Sequence, residues 1–202
     1  DCPNYIDIRN KKVVVIGGGE TASDCIGVSI RKGAQSVTQI DYHDELPESV
    51  DVSLAWPEWK KIKRTSSSHE EGCTRLFSTN TLEYIGSDRV TAIKVQKVKW
   101  TAPRKFEGIE GTEYLIEADV ILIAMGYSHP SQGLIREFEL ISDERGNISA
   151  ATSGELAYRT SNPKVFAAGD GRKGQSLVVY AIAEGRKCGE AVNNYLKSKK
   201  IC

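Results

Sequence analysis

The sequence predicts an α/β fold built on parallel strands, and three observations carry that expectation. An apolar run, "VVVIGGGETA" (13–22), stops on three glycines and passes at once into a helix-compatible stretch. A short strand-like segment, "SVTQI", follows that helix directly. Later, "DVILIAMG" and "PKVFAAGDG" repeat the pattern of an apolar run ending on glycine. A strand–helix–strand unit this compact joins parallel strands through a right-handed crossover.

Residues 1–10, "DCPNYIDIRN", read as a linker. Lys12 to Ile16 reads as a buried strand, because four consecutive β-branched residues are bounded by charge and glycine. Glu20 to Arg31 reads as a helix, with Gly33 as its stop. Ser36 to Ile40 is the second strand. Residues 44–72 read as irregular, since two prolines, "WPEW" and the run Ser66–Ser68 oppose regular structure. From Cys73 the pattern turns to β: "TRLFSTNTLEYIG", "RVTAIKVQKVKW" and "TEYLIEA" predict three strands in an antiparallel meander. "DVILIAMG" predicts another buried strand, "GNISA" a short one, and "PKVFAAGDG" a strand ending on Gly-Asp-Gly. Leu177 to Lys197 predicts the longest helix. The division expected is an N-terminal domain over residues 11–127 and a second part over 128–202.

Composition narrows the function classes. The 202 residues carry 27 basic and 27 acidic side chains, so the basic excess that marks nucleic-acid binding is missing. No apolar run is long enough to span a bilayer, Val120 to Met125 being typical. The five cysteines are scattered, without a C-x-x-C pair, which disfavours a disulfide scaffold or a cysteine metal cluster. A cytoplasmic, reducing setting is expected, with no nucleic acid, membrane or metal partner.

Gly17, Gly19 and Ala22 fit G-x-G-x-x-G/A, placed after a strand and opening a helix. Gly17 permits a tight turn, Gly19 lets a pyrophosphate approach the main chain, and Ala22 is small enough for helix–strand packing. The first helical amides lack internal partners and, with the helix dipole, form an anion site. Asp41 lies 19 residues past Ala22, at the end of the second strand. An acid there accepts from the hydroxyls of an adenosine ribose. It also repels a 2′-phosphate, and Tyr42 and His43 follow it rather than arginine, so NADH is expected over NADPH. Lys60, Lys61, Lys63 and Arg64 read as a solvated basic face, with a reach back from the loop toward this acid as the alternative.

"VVVIGGGETASDCIG", "WPEW", "AMGY" and "NPKVFAAGDGRKGQSLVVYAIAEGRKCGEAV" together resemble the small (β) subunit of glutamate synthase, or the matching C-terminal region of the fused NADH-dependent enzyme. The resemblance implies a Rossmann-like nicotinamide-dinucleotide-binding domain with an antiparallel β-meander crossover. The C-terminal part of an FAD-binding domain of glutathione-reductase type would follow it. On this resemblance Gly17, Gly18, Gly19, Glu20 and Thr21 hold the NAD(P)H pyrophosphate, and Asp41 the ribose. Ala124 and Gly126 stand near the cofactor. Gly169 and Asp170 meet the ribityl-pyrophosphate of FAD, and Gln175, Ser176 and Leu177 lie near its isoalloxazine ring.

The resemblance further implies hydride transfer from NADH to FAD, and electrons passed to a large subunit or domain with FMN and an iron–sulfur cluster, where glutamate forms from glutamine and 2-oxoglutarate. The earlier dinucleotide motif and cysteine clusters of a complete small subunit are not in this sequence, so the fragment alone is expected to be inactive and free of FAD. Two other readings remain: the electron-input module of another NAD(P)H-dependent flavoprotein, and a non-catalytic nucleotide-binding module.

No catalytic triad or carboxylate pair is expected, because hydride transfer between cofactors asks the protein for binding and alignment. His43, His69 and His129 read as surface or packing residues, with a local role near the nicotinamide left open for His69. Asp24 reads as a buried hydrogen-bonding residue, and Trp56 and Trp59 as packing.

Overall fold

The computed structural model describes residues 6–49, 62–103 and 105–199. Trp56, Trp59, Lys60 and Lys61 lie outside the described residues. The chain divides into two compact units, 1–126 and 127–202.

The first unit is built on a parallel sheet. Strand β1 (Lys12–Ile16) is flanked by β2 (Ser36–Ile40) and β8 (Val120–Ile123), with β3 (Thr74–Leu76) outside β2. Helix α1 (Glu20–Arg31) joins β1 to β2. Alternation along β1 sorts its side chains between two cores. Val13 and Val15 face α1 and pack on Ala22, Ile26, Val37 and Ala124. Val14 and Ile16 face the other way, onto Ile40, Ile93, Val95 and Ala118. A sheet covered on both faces explains why β1 is continuously apolar. Each of these buried valines and isoleucines contributes about 1.5–3 kcal/mol relative to exposure.

The second cover is the meander: β4 (Thr79–Gly86), β5 (Val90–Ala102), β6 (Lys105–Gly108) and β7 (Tyr114–Glu117). The long β5 pairs antiparallel with the other three. Here the structure corrects the expected three strands. "TRLFSTNTLEYIG" breaks at Ser78, whose φ is +48°. Its first half joins the parallel sheet as β3 and only its second half enters the meander. Strand β6 forms as well, from a charged stretch with no alternating pattern.

Two further expectations are corrected. The stretch 62–72 is not wholly irregular, since Ser67–Glu70 forms a short helix, α2, against α1. Asp24 is exposed; the neighbouring Ser23 is the buried polar residue, and its hydroxyl meets that of Ser66.

The second unit contains α3 (Gln132–Glu137), α4 (Asp170–Lys173) and α5 (Val178–Ser198). Ile135, Leu140, Ile148 and Ala167 form its small core. "GNISA" and "PKVFAAGDG" do not become strands: among the described residues each makes one antiparallel bridge, Ser142 to Ile148 and Arg159 to Phe166. An apolar run needs a strand neighbour to extend a ladder, and a single bridge supplies none. Helix α5 buries none of its residues, and Val178, Val179, Tyr180 and Ile182 are exposed. No helix among the described residues is long and apolar enough to cross a membrane.

Candidate functional site

The end of β1 turns at Gly17, whose φ is +135° and whose amide donates to the Ile40 carbonyl at 2.9 Å. A Cβ on Gly17 would stand 2.1 Å from the Ala124 carbonyl oxygen, so only glycine fits there. At Gly18 the neighbour is different: a Cβ would lie 1.8 Å from Asp41 Oδ2. The carboxylate therefore rests directly on the glycine turn. Around Gly19 a Cβ would meet no protein atom within 4 Å, which leaves open space over the main chain. Gly19 is also the N-cap of α1 and offers no side chain to the helix. The first amides of α1 thus stay available to an anion, at the positive end of the helix dipole.

Asp41 is held from several sides. Its amide donates to the Leu76 carbonyl at 2.8 Å, and its own carbonyl accepts from Thr79 at 3.0 Å. Its Oδ1 lies 2.9 Å from both the amide and Nδ1 of His43. The side chain is 13% exposed, enough for one oxygen to meet a ligand. The His43 ring stacks on Trp100, with centroids 5.4 Å apart and planes 3° apart. Trp100 Nε1 in turn donates to the Tyr42 carbonyl at 2.9 Å.

These groups line one crevice of about 840 Å³, a size that suits a ligand site. Gly17 to Thr21 form its floor, with Asp41 beside them and Ala124 to Gly126 at the end of β8. Tyr42, His43, Phe77 and Trp100 supply an aromatic wall, and Lys63, Arg64 and Arg75 supply positive charge. The crevice brings together every site residue expected in the first unit. Of the basic run, Lys63 and Arg64 line the crevice, as the reach-back alternative has it, and Arg64 is at the same time exposed.

In the second unit, Gly169 turns with φ +62° and ψ −142° and its amide donates to Glu184 at 2.9 Å. Glu184 also binds Arg172, which holds its carboxyl below the usual carboxylate range. Asp170 is exposed, with the Ser176 hydroxyl 3.4 Å from its carboxylate. Gln175 Nε2 donates to the Tyr127 carbonyl at 2.7 Å, and Leu177 is exposed at the start of α5.

The model of the family "Pyridine nucleotide-disulphide oxidoreductase" matches residues 3–185. The chain belongs to this family. Among curated proteins it is 42% identical over 193 residues to a glutamate synthase [NADPH] small chain of Mycobacterium tuberculosis, covering 95% of this chain and 38% of that one. It is 37% identical to the glutamate synthase [NADH] of Saccharomyces cerevisiae, over 94% of this chain and 9% of that one. Among solved structures, the thioredoxin reductase of T. acidophilum superposes with a TM-score of 0.62 at 25% identity, over 96% of this chain and 54% of that one. The chain therefore spans about two fifths of the bacterial small chain it matches.

Membership of the pyridine nucleotide-disulphide oxidoreductases implies NAD(P)H and FAD, and the crevice fits the first of these. A main chain laid bare at Gly19, uncapped amides and an acid resting on Gly18 match a pyrophosphate followed by a ribose. Sequence reasoning passed over Gln39, Arg75 and Trp100. Gln39 had a detectable signal, since it stands two residues after Val37 and so on the same inward face of β2.

Proposed function

We propose that this chain is the NAD(P)H-binding part of a glutamate-synthase-type flavoprotein reductase. The observation that carries the reading is the joining of the glycine turn, the uncapped α1 and Asp41 in one crevice. The identity to glutamate synthase chains along most of this chain supports the type of reductase. Gly17, Gly18, Gly19, Glu20 and Thr21 would hold the pyrophosphate, Asp41 the adenosine ribose, and Ala124 and Gly126 the side toward the nicotinamide. Reduced nicotinamide supplies the hydride, and the residues named here bind and orient its carrier.

Gly169, Asp170, Gln175, Ser176 and Leu177 would form the returning part of an FAD site in the longer protein. The partner would be a glutamate synthase large subunit or domain with FMN and an iron–sulfur cluster, in the cytoplasm. NADH remains the preferred dinucleotide of this proposal, because Asp41 stands where a 2′-phosphate would meet a carboxylate. Lys63, Arg64 and Arg75 temper that repulsion, so NADPH is disfavoured rather than excluded. Adding NADH to the purified full-length protein tests the reading: its flavin absorbance is expected to bleach. Flavin that stays oxidised, or a protein without flavin, would instead favour a non-catalytic nucleotide-binding module.

A further inference from the structure

Gln39 is the one large polar side chain wholly inside the sheet among the described residues, at 1% exposure. Its Nε2 donates to the Gly17 carbonyl at 2.9 Å, and its Oε1 accepts from Arg75 Nε at 3.0 Å. Arg75 Nη1 also donates to the Arg64 carbonyl at 3.2 Å, and its guanidinium lies 4.9 Å from the centre of the Phe77 ring. One chain of contacts thus runs from the crevice wall to the first glycine of the phosphate turn.

A buried amide has two ends of similar shape and opposite chemistry. Guanidinium has donors only, so Arg75 dictates that the oxygen of Gln39 faces β3 and its nitrogen faces Gly17. The reverse orientation would set Gln39 Oε1 against the Gly17 carbonyl and leave both acceptors unpaired in a buried site. Drawing the Gly17 carbonyl toward Gln39 also orients the next peptide. In a planar trans peptide the Gly18 N–H points opposite to that carbonyl, away from Gln39. We propose that Arg75 is a positioning residue for dinucleotide binding: acting through Gln39, it sets the Gly17–Gly18 peptide against which the pyrophosphate lies. The inference rests on the dinucleotide reading above and adds to it a residue on the neighbouring strand.

The test compares Gln39→Glu, Arg75→Met and Arg75→Lys in the full chain, titrating NADH and NADPH by calorimetry beside thermal melts. Gln39→Glu keeps the volume and the partner for Arg75 but removes the donor to Gly17. It is expected to weaken both nucleotides by about tenfold. Arg75→Met should match that loss for both nucleotides, and Arg75→Lys, which keeps a donor toward Gln39, should recover part of it. Unchanged affinity in Gln39→Glu overturns the proposal, as does a loss in Arg75→Met confined to NADPH, which would make Arg75 a direct 2′-phosphate contact. Should Arg75→Met not fold, Gln39→Glu and Arg75→Lys decide between the same outcomes. Wild-type protein that binds neither nucleotide would instead refute the dinucleotide reading itself.

Discussion

Gly18 separates binding from folding more cleanly than any other residue in the crevice. Unlike Gly17 it needs no positive φ, and the nearest atoms a Cβ would meet are the carboxylate tip of Asp41. That tip can swing aside at small cost. Gly18→Ala is therefore expected to change stability by less than about 1 kcal/mol while displacing Asp41 and weakening NADH binding. Gly17→Ala is the contrasting case: the carbonyl of Ala124 cannot swing away and the backbone is strained, so a loss of roughly 2–4 kcal/mol in stability is expected. Thermal melts and NADH titration of the two variants check the contrast. The motif gives Gly17 the turn and Gly19 the main-chain approach; that Asp41 itself comes close at Gly18, an unspecified position of the motif, is seen only in the fold.

Helix α2 shows where local pattern fails at the scale of an element. Three serines in a row read as loop, yet α2 docks on α1 through the Ser23–Ser66 hydroxyl pair and the Arg31–Glu71 ion pair. Those contacts are tertiary, and no window along the chain reveals them. The same holds for β3 and β4, which one apolar pattern merged because parallel and meander strands draw on the same residue types. By contrast β1, α1 and β2 were legible to the residue, since their periodicity, the glycine stop at Gly33 and their packing agree.

His69 on α2 carries a pH dependence. Its Nδ1 accepts from the Ser66 amide at 3.1 Å and its buried Nε2 has no partner among the described residues. Burial holds its pKa below the ordinary histidine value, with Arg75 acting in the same direction and Glu20 opposing. The folded chain therefore resists a proton that the unfolded chain accepts below about pH 6.5. The contribution of His69 is present above that pH and is lost as pH falls toward the lower, folded-state pKa. Thermal melts between about pH 7 and pH 5 are expected to show this decline, with a shallower slope in His69→Gln.

For the molecule as a whole, the two units differ in how much of each element they bury. The first has a sheet covered on both faces and a crevice at the carboxyl ends of its strands, where open α/β sheets bind ligands. The second has a small core and a long helix without a buried residue, in a chain that spans 38% of the bacterial relative it resembles. Its Gly-Asp turn was readable as a motif. The absence of a ladder around "PKVFAAGDG" was not, because a strand depends on neighbours that its own residues do not name.

On the function proposed, an adenine dinucleotide crosses the Gly17–Thr21 turn with its ribose on Asp41. Calorimetric titration of NADH into the wild-type chain and into Asp41→Ala tests it most directly. Saturable binding is expected in the wild type and a loss of about 1–2 kcal/mol in the variant, the scale of a charge-assisted hydrogen bond. Equal dissociation constants in the two proteins would contradict it.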